Sequence, residues 1–80
     1  MKTDELIAAI SEALSLDIGE ITLDSKQEDF QEWDSLGHLS ILQSLDEKTS
    51  GKLDRIKEIG KATSVKEIYE AMKQAGLISE

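Results

Sequence analysis

The clearest structural pattern in the chain is WDSLGHLSILQSLDE, residues 33–47. It opens with Asp34 and Ser35, two residue types that commonly cap the start of a helix, and it predicts a helix over roughly 35–50. The end is predicted near Gly51, because glycine suits the position just after a helix. Apolar residues cover more than half of the circumference, so the helix either lies at the centre of a bundle or shows apolar side chains to a partner. They are Leu36, Leu39, Ile41, Leu42 and Leu45.

A first helix and a long loop precede this stretch. The helix is predicted over roughly residues 3–15, with Thr3 as its N-cap and one apolar face at helical spacing. Residues 16–33 lose that spacing and hold Gly19 among acidic residues, so they are predicted to form a loop. Large apolar side chains in so long a loop are expected to anchor it to the core. The candidate anchors are Ile18, Ile21, Leu23, Phe30 and Trp33.

Two further helices are predicted after this stretch. A short third helix covers the apolar residues of 53–59 and stops at Gly60. A fourth is predicted over roughly 65–75, after the capping-box pattern SVKE that begins at Ser64, and Gly76 ends it. The sequence therefore predicts an all-α fold: a small four-helix bundle with a long loop between helices 1 and 2 and a short third helix.

Length and composition narrow the possible functions. Eighty residues form a single small domain, residues 1–80, and a domain of this size has no room for a large active-site cavity. The absence of cysteine excludes disulfides, a thiolate nucleophile and a cysteine-based zinc site. No stretch has the apolar length of a signal peptide or of a membrane span. The predicted location is the cytoplasm.

The chain is strongly acidic, with a net charge of −8. This charge argues against binding to nucleic acid or to an anionic membrane, since phosphate contact needs clustered positive charge. The predicted partners are proteins with basic docking surfaces. Residues 17–34 hold seven acids and one lysine, a net charge of −6. Most of the negative charge therefore lies just before the second helix.

Asp34, Ser35 and His38 suggest a hydrolase triad, but their spacing argues against one. A triad needs its histidine between the serine and the carboxylate, whereas here the serine and aspartate are neighbours and His38 follows at a helix start. No second segment supplies another base or an oxyanion hole. No catalytic residue is assigned, and the chain is predicted not to be an enzyme. His38 is expected to be a half-exposed residue of the first helical turn.

The stretch DEKTSGKLDRIK, residues 46–57, shares some positions with a calcium-binding loop. The third and twelfth positions of such a loop need oxygen ligands, and here they are Lys48 and Lys57. Two cations would repel the metal. The stretch is predicted to be a corner between helices, and no metal site is assigned.

A phosphate group attached to Ser35 would explain the position of this serine at the start of a helix. A helix N-terminus presents unpaired N–H groups and the positive end of the helix dipole, which favour a phosphate carried on the Ser35 hydroxyl. Capping alone explains Asp34 and Ser35, but not the next two residues. Gly37 costs about 1 kcal/mol relative to alanine in a helix, which indicates a close approach by another group, and Leu36 is apolar at an exposed helix end.

At these residues the sequence resembles the acyl carrier protein family, over nearly the whole chain. The shared pattern is Asp34-Ser35-Leu36 at the start of the second of four helices, after a long loop. The resemblance implies a carrier that holds acyl groups as thioesters on a 4′-phosphopantetheine arm. A phosphopantetheinyl transferase would attach that arm to Ser35 from coenzyme A. A second Asp-Ser pair ends at Ser25, but Lys26 and no periodic helix follow it, so it is not expected to be the site.

The resemblance implies roles for the neighbouring residues as well. Asp34 would orient the phosphodiester end of the arm, Leu36 would contact partner enzymes, and the helices would offer a groove for the acyl chain. For Leu36 core packing is an open alternative, and for Leu39 core packing is the expectation. Trp33 either flanks the arm or, as the preferred interpretation, anchors the long loop in the core.

The second helix departs from the pattern of many fatty-acid carriers, which have acidic residues just after the serine. Here Gly37, His38 and Ser40 stand there, and the first acid of the helix is Asp46. The prediction is therefore a specialised, monomeric carrier that serves enzymes of fatty-acid, lipid or polyketide-type synthesis. An aminoacyl or peptidyl carrier is the alternative of the same class. An unmodified helical module that binds a basic protein is the alternative of a different class.

Overall fold

The computed structural model describes residues 1–79, and these residues are helical with no β-strand, which confirms the all-α class. None of the described helices is long and apolar enough to cross a membrane. The three α-helices are α1 (Thr3–Ala13), α2 (Ser35–Lys48) and α3 (Val65–Gln74). Four short 3₁₀-helices connect them, at Ile18–Glu20, Gln27–Asp29, Lys52–Arg55 and Lys57–Lys61.

The predicted four-helix bundle is wrong in its third helix. The last two 3₁₀-helices, which we call the 52–61 segment, occupy that position between α2 and α3. Leu53, Ile56 and Ile59 recur every three residues, which is the repeat of a 3₁₀-helix and not of an α-helix. All three side chains are buried. The apolar pattern thus correctly predicts burial, while the exact spacing favours the tighter helix.

Helix α1 begins at Thr3, and the prediction of Thr3 as its N-cap is wrong. The N-cap is Lys2, whose extended backbone leads into the helix. The Glu5 carboxylate accepts a hydrogen bond from the Lys2 N–H at 3.0 Å, so a residue inside the first turn supplies the cap. The helix ends at Ala13, because Ser15 takes a positive φ of 58°.

Helix α2 starts where the sequence predicts. The Asp34 carboxylate oxygen Oδ1 accepts a hydrogen bond from the Gly37 N–H at 2.8 Å, so Asp34 is the N-cap. At the other end the Gly51 N–H donates to the Asp46 carbonyl at 2.8 Å. Gly51 has a φ of 79°, a left-handed conformation that glycine adopts without steric cost, and the chain turns there into the 52–61 segment.

Helix α3 confirms the predicted cap and stop. The Ser64 hydroxyl accepts a hydrogen bond from the Glu67 N–H at 3.1 Å. The Glu67 carboxylate reaches the Thr63 N–H at 3.4 Å, one residue before the position that a standard capping box would use. Gly76 follows the helix with a positive φ of 79°.

The core lies where α1 packs against α2 and α3, and the 52–61 segment packs against α2 and α3 as well. Each fully buried aliphatic side chain there contributes about 1.5–3 kcal/mol relative to an exposed one. Every α-helix supplies part of this core. The buried residues are Leu6, Ala9 and Ile10 from α1, Ile41 and Leu45 from α2, and Val65, Ile68 and Met72 from α3.

The long loop between α1 and α2 (residues 14–34) is held against this core, as predicted. Ile21 and Trp33 are buried, and Leu23 and Phe30 pack partly against the core cluster. The prediction that Ile18 anchors the loop is wrong, since its side chain is 63% exposed. It begins a 3₁₀-helix of only three residues that has no buried side chain.

Backbone hydrogen bonds also tie this loop to the start of α3. The Gln27 N–H donates to the Thr63 carbonyl at 2.8 Å, and the Val65 N–H donates to the Ser25 carbonyl at 3.0 Å. Lys26 and Ser64 pair as an isolated antiparallel bridge between these two bonds. The loop thereby brings the residues before Ser35 and the residues before α3 to the same side of the molecule.

Candidate functional site at the start of helix α2

Ser35 is the first residue of α2, and its side chain is exposed. Its hydroxyl makes no hydrogen bond with any of residues 1–79, because Asp34 already provides the cap. The backbone N–H groups of Ser35 and Leu36 belong to the first turn and have no partner within the helix. The start of α2 therefore offers a free hydroxyl beside free N–H donors.

Gly37 is required by a contact within the chain itself. A Cβ atom at this position would overlap the carbonyl oxygen of Glu32 and lie 2.9 Å from Leu14 Cδ2. The close approach that the sequence indicated is thus made by the two ends of the long loop, at Leu14 and at Glu32. Gly37 lets the loop pack directly against the first turn of α2.

His38 is engaged by hydrogen bonds that leave neither ring nitrogen for Ser35. Its Nδ1 accepts a hydrogen bond from Trp33 Nε1 at 3.0 Å, and its Nε2 lies 2.9 Å from the Ile59 carbonyl oxygen. The proton must therefore sit on Nε2, which donates to the carbonyl. The two aromatic rings are nearly parallel, with an interplanar angle of 11° and centroids 6.2 Å apart. This geometry supports no catalytic triad. His38 instead links the long loop, helix α2 and the 52–61 segment.

Trp33 and His38 together connect three parts of the molecule. Trp33 is 1% exposed and comes from the long loop, His38 comes from α2, and Ile59 belongs to the 52–61 segment. The preferred interpretation of Trp33 as an anchor of the loop is therefore confirmed. Through these bonds the first turn of α2 is tied to the long loop and to the 52–61 segment.

Leu36 and Leu39 point away from the core, with exposed fractions of 74% and 60%. The expectation that Leu39 packs in the core is wrong, and so is the core alternative for Leu36. The inward face of α2 is filled by His38, Ile41 and Leu45, which follow one another at helical spacing. Leu36 and Leu39 lie on other faces of the helix, so α2 shows apolar side chains to solvent.

A surface groove of about 560 Å³ separates α2 from the 52–61 segment. A smaller hollow of about 400 Å³ continues it to Ser35, and the two share Leu39, Leu42 and Gly60. Leu53, Ile56 and Ile59 complete the apolar lining of the groove, and its polar residues include Asp46, Asp54 and Lys57. The free hydroxyl of Ser35 thus lies at one end of a largely apolar groove.

Two other motifs of the sequence do not form sites in the described residues. Ser25, of the second Asp-Ser pair, is buried, and its hydroxyl accepts a hydrogen bond from the Thr22 N–H at 2.9 Å. The calcium-like stretch is a corner between α2 and the 52–61 segment. Across residues 1–79 no three His, Cys, Asp or Glu side chains are grouped so that they could hold a metal ion.

The acidic residues that precede α2 in the chain give the long loop a negative surface. All seven acids of residues 17–34 are exposed, and Lys26 is the only cation among them. They are Asp17, Glu20, Asp24, Glu28, Asp29, Glu32 and Asp34.

The sequence did not reveal where the groove lies or which residues His38 bonds. The groove and the bond from His38 to the Ile59 carbonyl both join α2 to a segment later in the chain, and no local pattern records such a pairing. The one hint was His38 itself, a polar residue on the buried face of α2. Comparisons of the chain with protein-family models, with curated proteins and with solved structures found no match.

Proposed function

We propose that the protein is a carrier that holds acyl groups as thioesters on a 4′-phosphopantetheine arm attached to Ser35 and delivers them to partner enzymes. One observation carries this proposal: the exposed Ser35 hydroxyl has no hydrogen bond within residues 1–79 and lies at the end of a largely apolar groove. The arm supplies the thiol for thioester chemistry, which the chain itself lacks because it has no cysteine.

The residues at the start of α2 suit the phosphodiester of such an arm. In the attachment reaction Ser35 Oγ forms a bond to the β-phosphorus of coenzyme A, the pyrophosphate P–O bond breaks, and adenosine 3′,5′-bisphosphate leaves. The hydroxyl proton passes to a base of the transferase. Ser35 and Leu36 then present first-turn N–H groups, and the positive end of the helix dipole stabilises the negative charge of the phosphodiester. Asp34 holds the first turn in place by capping it.

The surface around Ser35 suits the docking of partner enzymes. Leu36 and Leu39 supply exposed apolar area, and the acids of residues 17–34 lie before them in the chain. A partner with an apolar patch and a basic rim would match both features, and complementary charges would speed its association. In this proposal the carrier acts as a cytoplasmic monomer, and the same surface receives the transferase and the acyl-loading enzymes.

The same exposed leucines also favour a second candidate function, an unmodified module that binds a basic protein. Nothing in that function requires a free Ser35 hydroxyl. The two candidates therefore differ in one measurable property, namely whether Ser35 accepts phosphopantetheine.

The decisive experiment is the intact mass of the purified protein after incubation with coenzyme A and a broad-range phosphopantetheinyl transferase. The expected result is a gain of one phosphopantetheine, which is lost in Ser35→Ala. Ser25→Ala is the matched control, because Ser25 is the buried serine of the other Asp-Ser pair, and it should still be modified. No mass gain in the wild type, or a gain that persists in Ser35→Ala, would rule out the carrier function.

A further inference from the structure

Four residues of α2 form one stripe that faces the 52–61 segment: Ser35, Leu39, Leu42 and Asp46. Their spacings of four, three and four residues place them on a single side of the helix, and all four line the groove or its continuation. At a rise of 1.5 Å per residue, Ser35 and Asp46 lie about 16 Å apart along the helix axis. The stripe therefore runs from a free hydroxyl, along two leucines, to a carboxylate.

One carboxylate oxygen of Asp46 has no hydrogen-bond partner among the described residues. Its Oδ1 atom is buried, and none of the described residues donates a hydrogen bond to it. The side chain as a whole is half-buried, and no described ammonium group forms an ion pair with it. A buried carboxylate oxygen without a donor is unfavourable. Asp46 lines the groove and the terminal torsion of an aspartate is soft, so a donor in the groove can reach its carboxylate.

The groove as a whole favours a positively charged occupant at this end. Asp46 and Asp54 contribute two carboxylates, and Lys57 contributes the one ammonium group among the described residues that line it. Asp54 and Lys57 are exposed, so solvent screens their charges, whereas Asp46 is half-buried and one of its carboxylate oxygens is shielded from solvent. The unpartnered charge is therefore negative.

We infer that Asp46 binds a protonated amine on the cargo, so that the carrier serves acyl groups with an amine close to the thioester, such as aminoacyl groups. This inference rests on the proposed function of Ser35. About 14 covalent bonds separate the serine oxygen from the sulfur of a phosphopantetheine arm. At the roughly 1.2 Å per bond of an extended backbone, they reach about 17 Å. The sulfur of a fully extended arm would therefore reach Asp46, and a partly bent arm places an amine a few bonds beyond the thioester beside that carboxylate.

The chemistry of the groove distinguishes this cargo from a plain acyl chain. An amine a few bonds beyond the thioester would form a charge-assisted hydrogen bond with Asp46, which is shorter and stronger than a neutral one. A methyl end at the same place would cover the carboxylate without supplying a donor, which is unfavourable. Leu39 and Leu42 would line the groove for either cargo, so Asp46 is the residue that distinguishes an amine-bearing cargo from a plain acyl chain.

The test compares two arms of equal shape on the same protein. One arm carries a β-alanyl group, which ends in an ammonium, and the other carries a butyryl group, which ends in a methyl. Both arms can be attached to Ser35 from coenzyme A analogues in which an amide, which does not hydrolyse, replaces the thioester. Intact mass verifies the loading, and melting temperature is then measured. The β-alanyl form should melt about 4 °C higher, the shift expected for about 1 kcal/mol in a domain of this size. The amide resonances of residues 39–46 should also differ between the two forms.

Asp46→Asn should abolish this difference while keeping the size of the side chain. Glu47→Gln is the matched control, since Glu47 is an exposed neighbour on α2 that does not line the groove, and it should retain the difference. Equal melting temperatures for the two wild-type arms would overturn the inference without any variant. A difference that survives Asp46→Asn would overturn it as well. Failure to load any arm would instead refute the proposed function, on which the inference rests.

Discussion

At the scale of single residues, His38 holds the candidate site together. It accepts a hydrogen bond from Trp33 on one side and donates to the Ile59 carbonyl on the other. The donor of the first bond is buried, because the tryptophan is almost fully buried. Removing the acceptor would therefore leave a buried N–H group without a partner.

His38→Ala is expected to lower the free energy of unfolding by about 1–3 kcal/mol, the cost of an unsatisfied buried polar group. Urea unfolding followed by circular dichroism measures the loss. Trp33→Phe and the double variant complete a cycle that isolates the pair. If the losses of the two single variants simply add, the bond between Trp33 and His38 contributes nothing to stability.

Gly37 gives a second prediction at this scale. Gly37→Ala should destabilise the fold by about 1–3 kcal/mol, the usual range for overpacking, although alanine is the better helix former. The cause is the contact of the new Cβ with the Glu32 carbonyl and with Leu14. Gly19→Ala is the matched control, because a Cβ there meets no atom within 4 Å. A stability equal to that of the control would contradict the close packing of the loop on α2.

At the scale of elements, two neighbouring residues at the start of α2 have different roles, one in helix stability and the other in the proposed attachment of the arm. Asp34 caps the helix, while Ser35 makes no bond that the helix needs. The 52–61 segment forms the opposite wall of the groove and is held to α2 through His38. Stability and attachment can therefore be separated by mutation.

Asp34→Ala should lower the free energy of unfolding by about 1 kcal/mol, the typical value of an N-cap. Ser35→Ala should change it by less than about 0.5 kcal/mol, as is usual for surface positions without a structural role. Thermal or urea unfolding of both variants measures the two changes in the free energy of unfolding. A Ser35→Ala variant that is destabilised as much as Asp34→Ala would show that the serine has a structural role.

At the scale of the whole molecule, the acidic charge opposes the compact state. Residues 17–34 carry a net charge of −6 on exposed side chains, and like charges at short distance repel one another. Salt screens such exposed charges, with a Debye length of about 10 Å at 0.1 M. The small core leaves little reserve of stability against this repulsion.

The melting temperature is therefore expected to rise by a few degrees as salt is raised from very low concentration to about 0.15 M. A variant with Glu28→Gln and Glu32→Gln should melt higher at low salt and respond less to added salt. Both side chains are exposed, so the change removes charge and little packing. A melting temperature that stays flat or falls as salt increases would show that this repulsion does not limit stability.

The sequence alone determined where the α-helices start and stop at α2 and α3. Asp34, Ser64, Gly51 and Gly76 act on the residues beside them, and capping and left-handed turns are local effects that a sequence states directly. The sequence also placed Ser35 at a helix N-terminus. It misjudged the cap of α1, because Glu5 supplies it from inside the first turn.

Only the tertiary structure decided which faces of α2 are covered and what the candidate site contains. Leu39 is exposed because His38, Ile41 and Leu45 fill the inward face, and that choice depends on the loop and on the 52–61 segment. The unpartnered Asp46 and its groove arise in the same way. The physical reason is that periodicity reports which residues share a face, while the packing of distant segments decides whether that face meets the core, the solvent or a ligand.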